Sequence, residues 1–338
     1  MKKFNKKSLS GFTFLLLLVL VIAGCSKDTS SGEKVSSFPE KTITMVVPTA
    51  AGGSSDAIAR VMAKYAEEHI GGAMVVSNVP GGASTLGTGE VVNAKADGYT
   101  LGFPPVGAVS VQPHYGQINY TYSDLEPIAQ VSEEAIVLVS PKGKFKNLED
   151  LVKYGKDNPG AIKYGNSSVG GPVHLVLEKL FSDAGVKAEV IGYKGSAEVK
   201  AALLGDHIDI GVMHPAEVLP ILESGDVDAL AVSTSTGERD PSLPGVATFN
   251  ELDYEINFTV WKGVFGPKNL PEDVKKTLVE GFDKILKDPE FVAEIEKLGQ
   301  AVAYIGPDEF TKKIEEEYKY YGEVIEATGM KEIVTGQK

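Results

Sequence analysis

The sequence predicts an α/β protein built from two similar units in series, and three observations carry that reading. Short apolar runs alternate with segments whose apolar residues recur at helical spacing. Two of the strand-to-helix junctions are glycine-rich loops, and everything after Pro271 reads as helix with no strand of its own. Such alternation favours a parallel sheet flanked by helices over a barrel or sandwich of strands. A chain of 338 residues has room for roughly two domains. Its 43% hydrophobic content with 37 Gly fits loop-rich globular cores.

The leader comes first. Lys2, Lys3, Lys6 and Lys7 precede an apolar run over residues 12–22, too short to span a bilayer as a permanent helix. That layout is an export signal. Its end, Ile22-Ala23-Gly24-Cys25, resembles the bacterial lipobox, so residues 1–24 are expected to be a lipoprotein signal peptide and Cys25 the lipidated new N-terminus; cleavage at ordinary small residues is the alternative. Loss of 1–24 removes four Lys and no acid, taking the formal charge from −13 to −17. Residues 25–37, polar and Ser-rich, read as a flexible tether, and folding is expected to begin near Phe38.

The body then alternates. Residues 42–47 form a strand, 50–55 a glycine loop, and 56–66 a helix with Ile58, Val61, Met62 and Tyr65 at helical spacing. A strand at 75–76, a helix at 84–94 interrupted by Gly87 and Gly89, and a strand at 99–103 complete the first unit. The second opens with a strand at 136–139, a helix at 148–158 and a strand at 162–164. A second glycine loop follows at 166–171, then a helix at 173–181 with Pro172 in its first turn, where a missing N–H costs nothing. Strands at 188–191, 208–213, 230–233 and 259–265 and a helix at 197–204 come next. Helices at 272–286, 289–298 and 307–327 end the chain. Two such units with a sheetless helical tail suggest two lobes that the chain crosses more than once, with ligands beyond the C-terminal strand ends.

Several functions are excluded or disfavoured. With 46 acidic against 33 basic residues, the surface repels phosphate backbones, and no nucleic-acid partner is expected. One Cys permits neither a disulfide framework nor a thiolate cluster, and five scattered His lack metal-ligand spacing. Neither glycine loop is followed by Lys-Ser or Lys-Thr, and the first lacks a three-glycine dinucleotide pattern. Ser167 or Ser168 with His174 invites a hydrolase reading, but no Gly-x-Ser-x-Gly elbow is present, and no catalytic residue is assigned.

What the two loops do offer is backbone N–H groups without intrahelical acceptors, beside the positive end of a helix dipole. Ala50-Ala51-Gly52-Gly53-Ser54-Ser55 and Asn166-Ser167-Ser168-Val169-Gly170-Gly171 therefore suit anions, and one loop per lobe suits the two ends of a dicarboxylate. A tight turn before a capped helix is the plainer alternative for each. His174 either reaches a ligand carboxylate or holds its own loop; His214 either lines the cleft or covers a strand end, and in the cleft it would favour an anionic group as pH falls. Trp261 either walls a pocket or belongs to the core.

Taken together, the residues resemble the extracytoplasmic solute receptors of the tripartite tricarboxylate transporter family, the TctC or Bug proteins. The opening stretch from Pro39 to Asp56 with Ala59-Arg60 carries the resemblance. So do Asn78-Val79-Pro80-Gly81-Gly82, the Asp97-Gly98-Tyr99-Thr100 strand, and the Tyr164 to His174 loop. Tyr193-Lys194-Gly195, Leu230-Ala231-Val232-Ser233, the 243–248 stretch and Trp261-Lys262-Gly263 agree in order.

The resemblance implies a two-lobed type II periplasmic-binding-protein-like fold with a hinge and an interlobe cleft. Lobe 1 would take residues 38–135 and 257–338, and lobe 2 residues 136–256. It implies a non-catalytic, monomeric receptor without cofactor or metal, lipid-anchored outside the cytoplasmic membrane. The receptor would close on a small organic carboxylate, a di- or tricarboxylate or an acidic amino acid, and deliver it to a two-subunit ion-coupled permease. A sensory receptor serving a signalling protein is the alternative, and a small-molecule hydrolase a further one. The implied ligand residues are Ala51, Gly52, Gly53, Ser54, Ser55 and Asp56 in the first loop, and Ser167, Ser168, Gly170, Gly171 and His174 in the second. Gly107, Tyr193, Lys194 and His214 complete the set. Neither loop holds Lys or Arg, so water bridging is the expected means of holding a carboxylate. The sequence departs from the family pattern at Thr49, where an aromatic is common, at Val79 in place of Arg, at Gly171-Pro172, and at His214.

Overall fold

The computed structural model describes residues 38–336; the expected leader, Cys25 and the tether lie outside the described residues. The first run comprises β1 (Ile43–Val47), α1 (Ser54–His69), β2 (Met74–Asn78), α2 (Thr85–Val92) and β3 (Thr100–Gly102). A π-helical segment (Gly107–Val111) and 3-10 turns (Gln112–Tyr115, Tyr122–Asp124) lead into β4 (Leu125–Glu134). The second run is β5 (Ile136–Pro141), α3 (Leu148–Asp157), β6 (Ile162–Asn166), α4 (Pro172–Ala184), β7 (Ala188–Gly192), α5 (Ser196–Leu204), β8 (Ile210–Met213), α6 (Pro215–Glu223) and β9 (Val227–Ser233). Then come β10 (Val260–Pro267), α7 (Glu272–Lys287), α8 (Pro289–Lys297), α9 (Pro307–Thr328) and α10 (Met330–Thr335).

These strands form two five-stranded sheets, β2-β1-β3-β10-β4 and β7-β6-β8-β5-β9. The local pattern predicts parallel sheets; both are mixed. Strands β2, β1 and β3 are parallel, as are β7, β6 and β8, but β10 runs against β3 and β4, and β5 against β8 and β9. The reversed strands are the two by which the chain arrives from the other sheet. Such a strand starts at the edge where its neighbours end, so it must run against them. The chain leaves the first sheet at Ala135 and returns through residues 234–259.

Apolar residues one helical turn apart decide the packing. Ile58 and Met62 of α1 are fully buried with Leu278 and Phe282 of α7 and Phe291 of α8, on the same core as Met45, Leu101 and Val264 of the sheet. Each such side chain contributes about 1.5–3 kcal/mol on burial. A second core joins Leu175 and Leu180 of α4 to Trp261, Phe265, Phe310 and Tyr321. There Phe310 of α9 stands edge-on to Trp261, centroids 5.0 Å apart. It lies so close over Gly263 that an added Cβ would sit 2.5 Å from the ring. A third core, with Val137, Val139, Val199 and Leu203, fills the space between β5, β8 and α5.

Candidate functional site

Both glycine loops start at C-terminal ends of parallel strands. Residues 48–53 follow β1, Gly107 lies beyond β3, residues 167–171 follow β6, Tyr193 and Lys194 follow β7, and His214 follows β8. Parallel register therefore brings the predicted residues to one edge of each sheet. The edges meet at Gly107, where a Cβ would lie 3.6 Å from Pro172 Cδ. Helices α1, α4 and α5 begin from Gly53, Gly171 and Gly195, none with a side-chain cap, whereas Asn147 caps α3 and Asp288 caps α8. A glycine N-cap leaves first-turn N–H groups available to a ligand.

In the first loop Ala51, Gly52, Gly53 and Ser54 are exposed, while Ser55 and Asp56 are buried. Asp56 is committed to the protein: Oδ2 accepts from Gly52 N–H at 2.9 Å and Arg60 Nε at 3.0 Å. The Arg60 guanidinium is the main influence holding the Asp56 carboxyl below its ordinary range, against the opposing effect of burial. Arg60 also reaches Asn78 Oδ1 at 3.3 Å, and Asn78 Nδ2 donates to Thr49 O at 3.2 Å, so this carboxylate braces the loop against β2. Ser54 Oγ donates to Gln300 Oε1 at 3.3 Å.

The second loop is braced from below. His174 is 1% exposed; its Nδ1 accepts from Gly170 N–H at 3.1 Å, which places the ring proton on Nε2, 2.9 Å from Tyr164 Oη. Tyr164 donates in turn to Glu178 Oε1. Burial pushes the Glu178 carboxyl up, but hydrogen bonds from His174 and Tyr164 outweigh it and the net is downward. With both nitrogens engaged, His174 holds the loop and activates neither Ser167 nor Ser168. Tyr115 Oη donates to Gly170 O at 2.9 Å from above. Ser167 is half-buried and Ser168 exposed. Gly171 packs so tightly on Ser168 that a Cβ would lie 2.7 Å from its Oγ. Tyr193 N–H donates to Asn166 O at 2.8 Å, and Lys194 N–H to Glu198 Oε2 at 3.0 Å with its own side chain exposed.

His214 caps the crossing. Its Nδ1–H donates to Ala135 O at 3.0 Å, and its N–H to Glu217 Oε2 at 3.2 Å. Beside it Glu134, Ala135, Pro215, Leu219 and Gln300 line a cavity of about 420 Å³. Sequence reasoning missed the charge that backs this cavity. Lys262, 6% exposed, pairs with Glu134 Oε2 at 2.9 Å and reaches Gln300 Oε1 at 3.4 Å. Its only sequence signal is its place in Trp261-Lys262-Gly263. Burial raises the Glu134 carboxyl, but the nearby charges of Lys262 and His214 and hydrogen bonds from Lys262 and Gln300 bring it below its ordinary value. Trp261 is fully buried and belongs to the core, its Nε1–H donating to Glu317 Oε2 at 2.6 Å. Among the described residues no group of His, Cys, Asp and Glu is placed to hold a metal ion, and no helix is long and apolar enough to cross a membrane.

Two mixed α/β sheets whose strand ends and uncapped helices meet beside the chain crossings make a two-lobed α/β binding fold. A family model described as the tripartite tricarboxylate transporter family receptor matches residues 58–330, and the chain belongs to that family. It is 29% identical over 324 residues to Protein BugT of Bordetella pertussis, covering 94% of this chain and 98% of BugT. The structure of periplasmic binding protein BugD superposes with a TM-score of 0.70 at 30% identity, over 87% of this chain and 99% of that one. An R. palustris protein solved with adipate superposes at 0.72 with 25% identity, over 86% and 98%. The matched family is one of receptors and BugD is a binding protein, and this chain is accordingly a solute-binding receptor and not an enzyme.

Proposed function

We propose that this receptor captures a small organic carboxylate outside the cytoplasm, between the loops after β1 and β6, and hands it to a two-subunit ion-coupled permease. One observation carries the reading: α1 and α4 present uncapped, glycine-led N-termini from the facing edges of two different sheets. The adipate in the R. palustris relative supports the ligand class. Ala51, Gly52, Gly53, Ser54, Ser167 and Ser168 would meet the ligand or its bridging waters. Gly107, Tyr193, Lys194 and His214 would border it. Asp56, Gly170, Gly171 and His174 would fix the loops. Binding selects the closed arrangement of residues 38–135 and 257–338 on 136–256, and the monomer is tethered through lipid on Cys25.

Thermal unfolding of the full chain with mono-, di- and tricarboxylates, amino acids and sugars tests the reading. A ligand at a hundred times its Kd adds about 2.7 kcal/mol, a shift of several degrees. A shift by carboxylates alone is the expected result; a shift by sugars alone, or by nothing in ligand-free protein, overturns it. A mature N-terminal peptide beginning at Cys25 that carries no diacylglyceryl mass would remove the lipid anchor.

A further inference from the structure

Among the described residues a few buried side-chain polar atoms have no hydrogen-bond partner within the protein, and two of them stand where the two glycine loops leave their strands. Asn166 is the last residue of β6, 1% exposed; its Oδ1 accepts from Ser168 N–H at 2.9 Å, while Nδ2 has no partner. Thr49 lies two residues beyond β1, and its carbonyl is taken by Asn78 Nδ2, while its buried Oγ1 has no partner. A buried polar group left unpaired costs about 1–3 kcal/mol, and native proteins tolerate few. Each of the two stands at the root of a glycine loop, where an oxygen of a bound ligand or an ordered water would satisfy it.

Their chemistry is selective. An amide nitrogen only donates, so its partner must be an acceptor such as a carboxylate or carbonyl oxygen; a hydroxyl donates and accepts. Lys262, the buried cation linked through Gln300 to the first loop, is already paired with Glu134, so the donors left at the two loop roots are neutral, with Lys194 beyond β7 the exposed cation beside them. We propose that Asn166 Nδ2 and Thr49 Oγ1 are specificity-determining donors, one from each sheet, to oxygens of the bound carboxylate, directly or through one water. This deepens the carboxylate reading and rests on it.

The test uses near-isosteric variants of the full chain and calorimetric titration with adipate, succinate and citrate. Asn166→Asp keeps the oxygen that Ser168 N–H needs but replaces the donor with an anion. For the probe that binds the wild type most tightly, Kd rises at least thirtyfold. Asn166→Ser, which retains a donor, stays within about fivefold, and Thr49→Val loses five- to tenfold while Thr49→Ser does not. Wild type that binds none of the three, nor any carboxylate or acidic amino acid of the thermal panel, overturns the carboxylate reading itself. Wild type that binds while folded Asn166→Asp stays within twofold overturns the donor assignment alone. Should Asn166→Asp not fold, Thr49→Val decides: unchanged affinity overturns the assignment, a fivefold loss supports it.

Discussion

Lys262 and Glu134 form an ion pair across β10 and β4, Nζ to Oε2 2.9 Å, with side chains only 7% and 17% exposed. The pair sits at the seam of the molecule, since the residue after Glu134 is the one at which the chain leaves the first sheet. Gln300 joins it to Ser54, so the first glycine loop and the crossing share one hydrogen-bonded group.

Breaking this pair from one side strands a buried charge. Lys262→Met is expected to cost about 3–5 kcal/mol, and adding Glu134→Leu to recover most of it, because the desolvated carboxylate is then gone too. Urea unfolding of the four proteins of the double-mutant cycle measures this. A Lys262→Met single variant within 1 kcal/mol of wild type would mean that water reaches the pair.

Glu317 gives the fold a pH dependence near neutrality. Burial pushes its carboxyl up to about 7 from 4.5, although Lys313 and the Trp261 hydrogen bond act the other way. Between those pH values the folded chain keeps a proton that the unfolded chain has released, so stability falls as pH rises through the window, by on the order of 3 kcal/mol. Glu317→Gln keeps an acceptor for Trp261 and is expected to flatten that slope and to be the more stable protein at pH 8. Urea midpoints at pH 5, 6, 7 and 8 decide it, and parallel slopes for both proteins would count against the buried acid.

The two loop glycines with a left-handed backbone, Gly52 and Gly170, differ in their surroundings. Gly52 (φ +83°) has nothing within 4 Å of an added Cβ, so Gly52→Ala meets only left-handed strain, about 1–2 kcal/mol. Gly170 (φ +73°) would place its Cβ 2.8 Å from Val334 Cγ2 and 3.1 Å from Tyr115 Cε2. Overpacking adds about 1–3 kcal/mol there, and the Tyr115 hydrogen bond is displaced. The thermal midpoint should therefore drop several degrees further for Gly170→Ala; equal drops would show that Tyr115 and Val334 yield freely.

Tyr164→Phe removes the acceptor of His174 Nε2–H and a donor to Glu178 in one change. A loss of about 1–3 kcal/mol is expected, together with weaker carboxylate binding, because the second loop rests on His174. Calorimetry beside chemical unfolding separates the two effects. Unchanged Kd in a destabilised Tyr164→Phe protein would confine the triad to stability.

The strand, glycine loop and helix at residues 43–69 and 162–184 are legible in the sequence because their signals are local: β-branched runs, glycines, then apolar residues at helical spacing. Strand β4 escapes such reading. Gln130, Glu133 and Glu134 interrupt its apolar alternation, and they are tolerated because Lys313 of α9 and Lys262 of β10 meet them. Helix α6 is hidden by Pro215 and the internal Pro220. The loops were visible as anion-binding candidates, but their internal partners were not: that Asp56 binds Arg60, that His174 props Gly170 and that Asn166 Nδ2 is left over follow only from packing. Strand direction was also beyond reach, since nothing local in residues 260–267 says which strands they join.

That last strand has a consequence for the order in which the molecule can be made. β10 lies between β3 and β4, the middle of three strands, yet it is synthesised more than a hundred residues after either. Until it arrives, β3 and β4 each present an open edge, and such edges are prone to wrong pairing. The second sheet, whose five strands lie consecutively in the chain from β5 to β9, can assemble first. The first therefore waits as a half-built sheet for a segment near the far end of the polypeptide, and long-range closure of this kind is slow. A nascent chain stopped between residues 234 and 259 holds one sheet with all its strands and one whose edges need guarding.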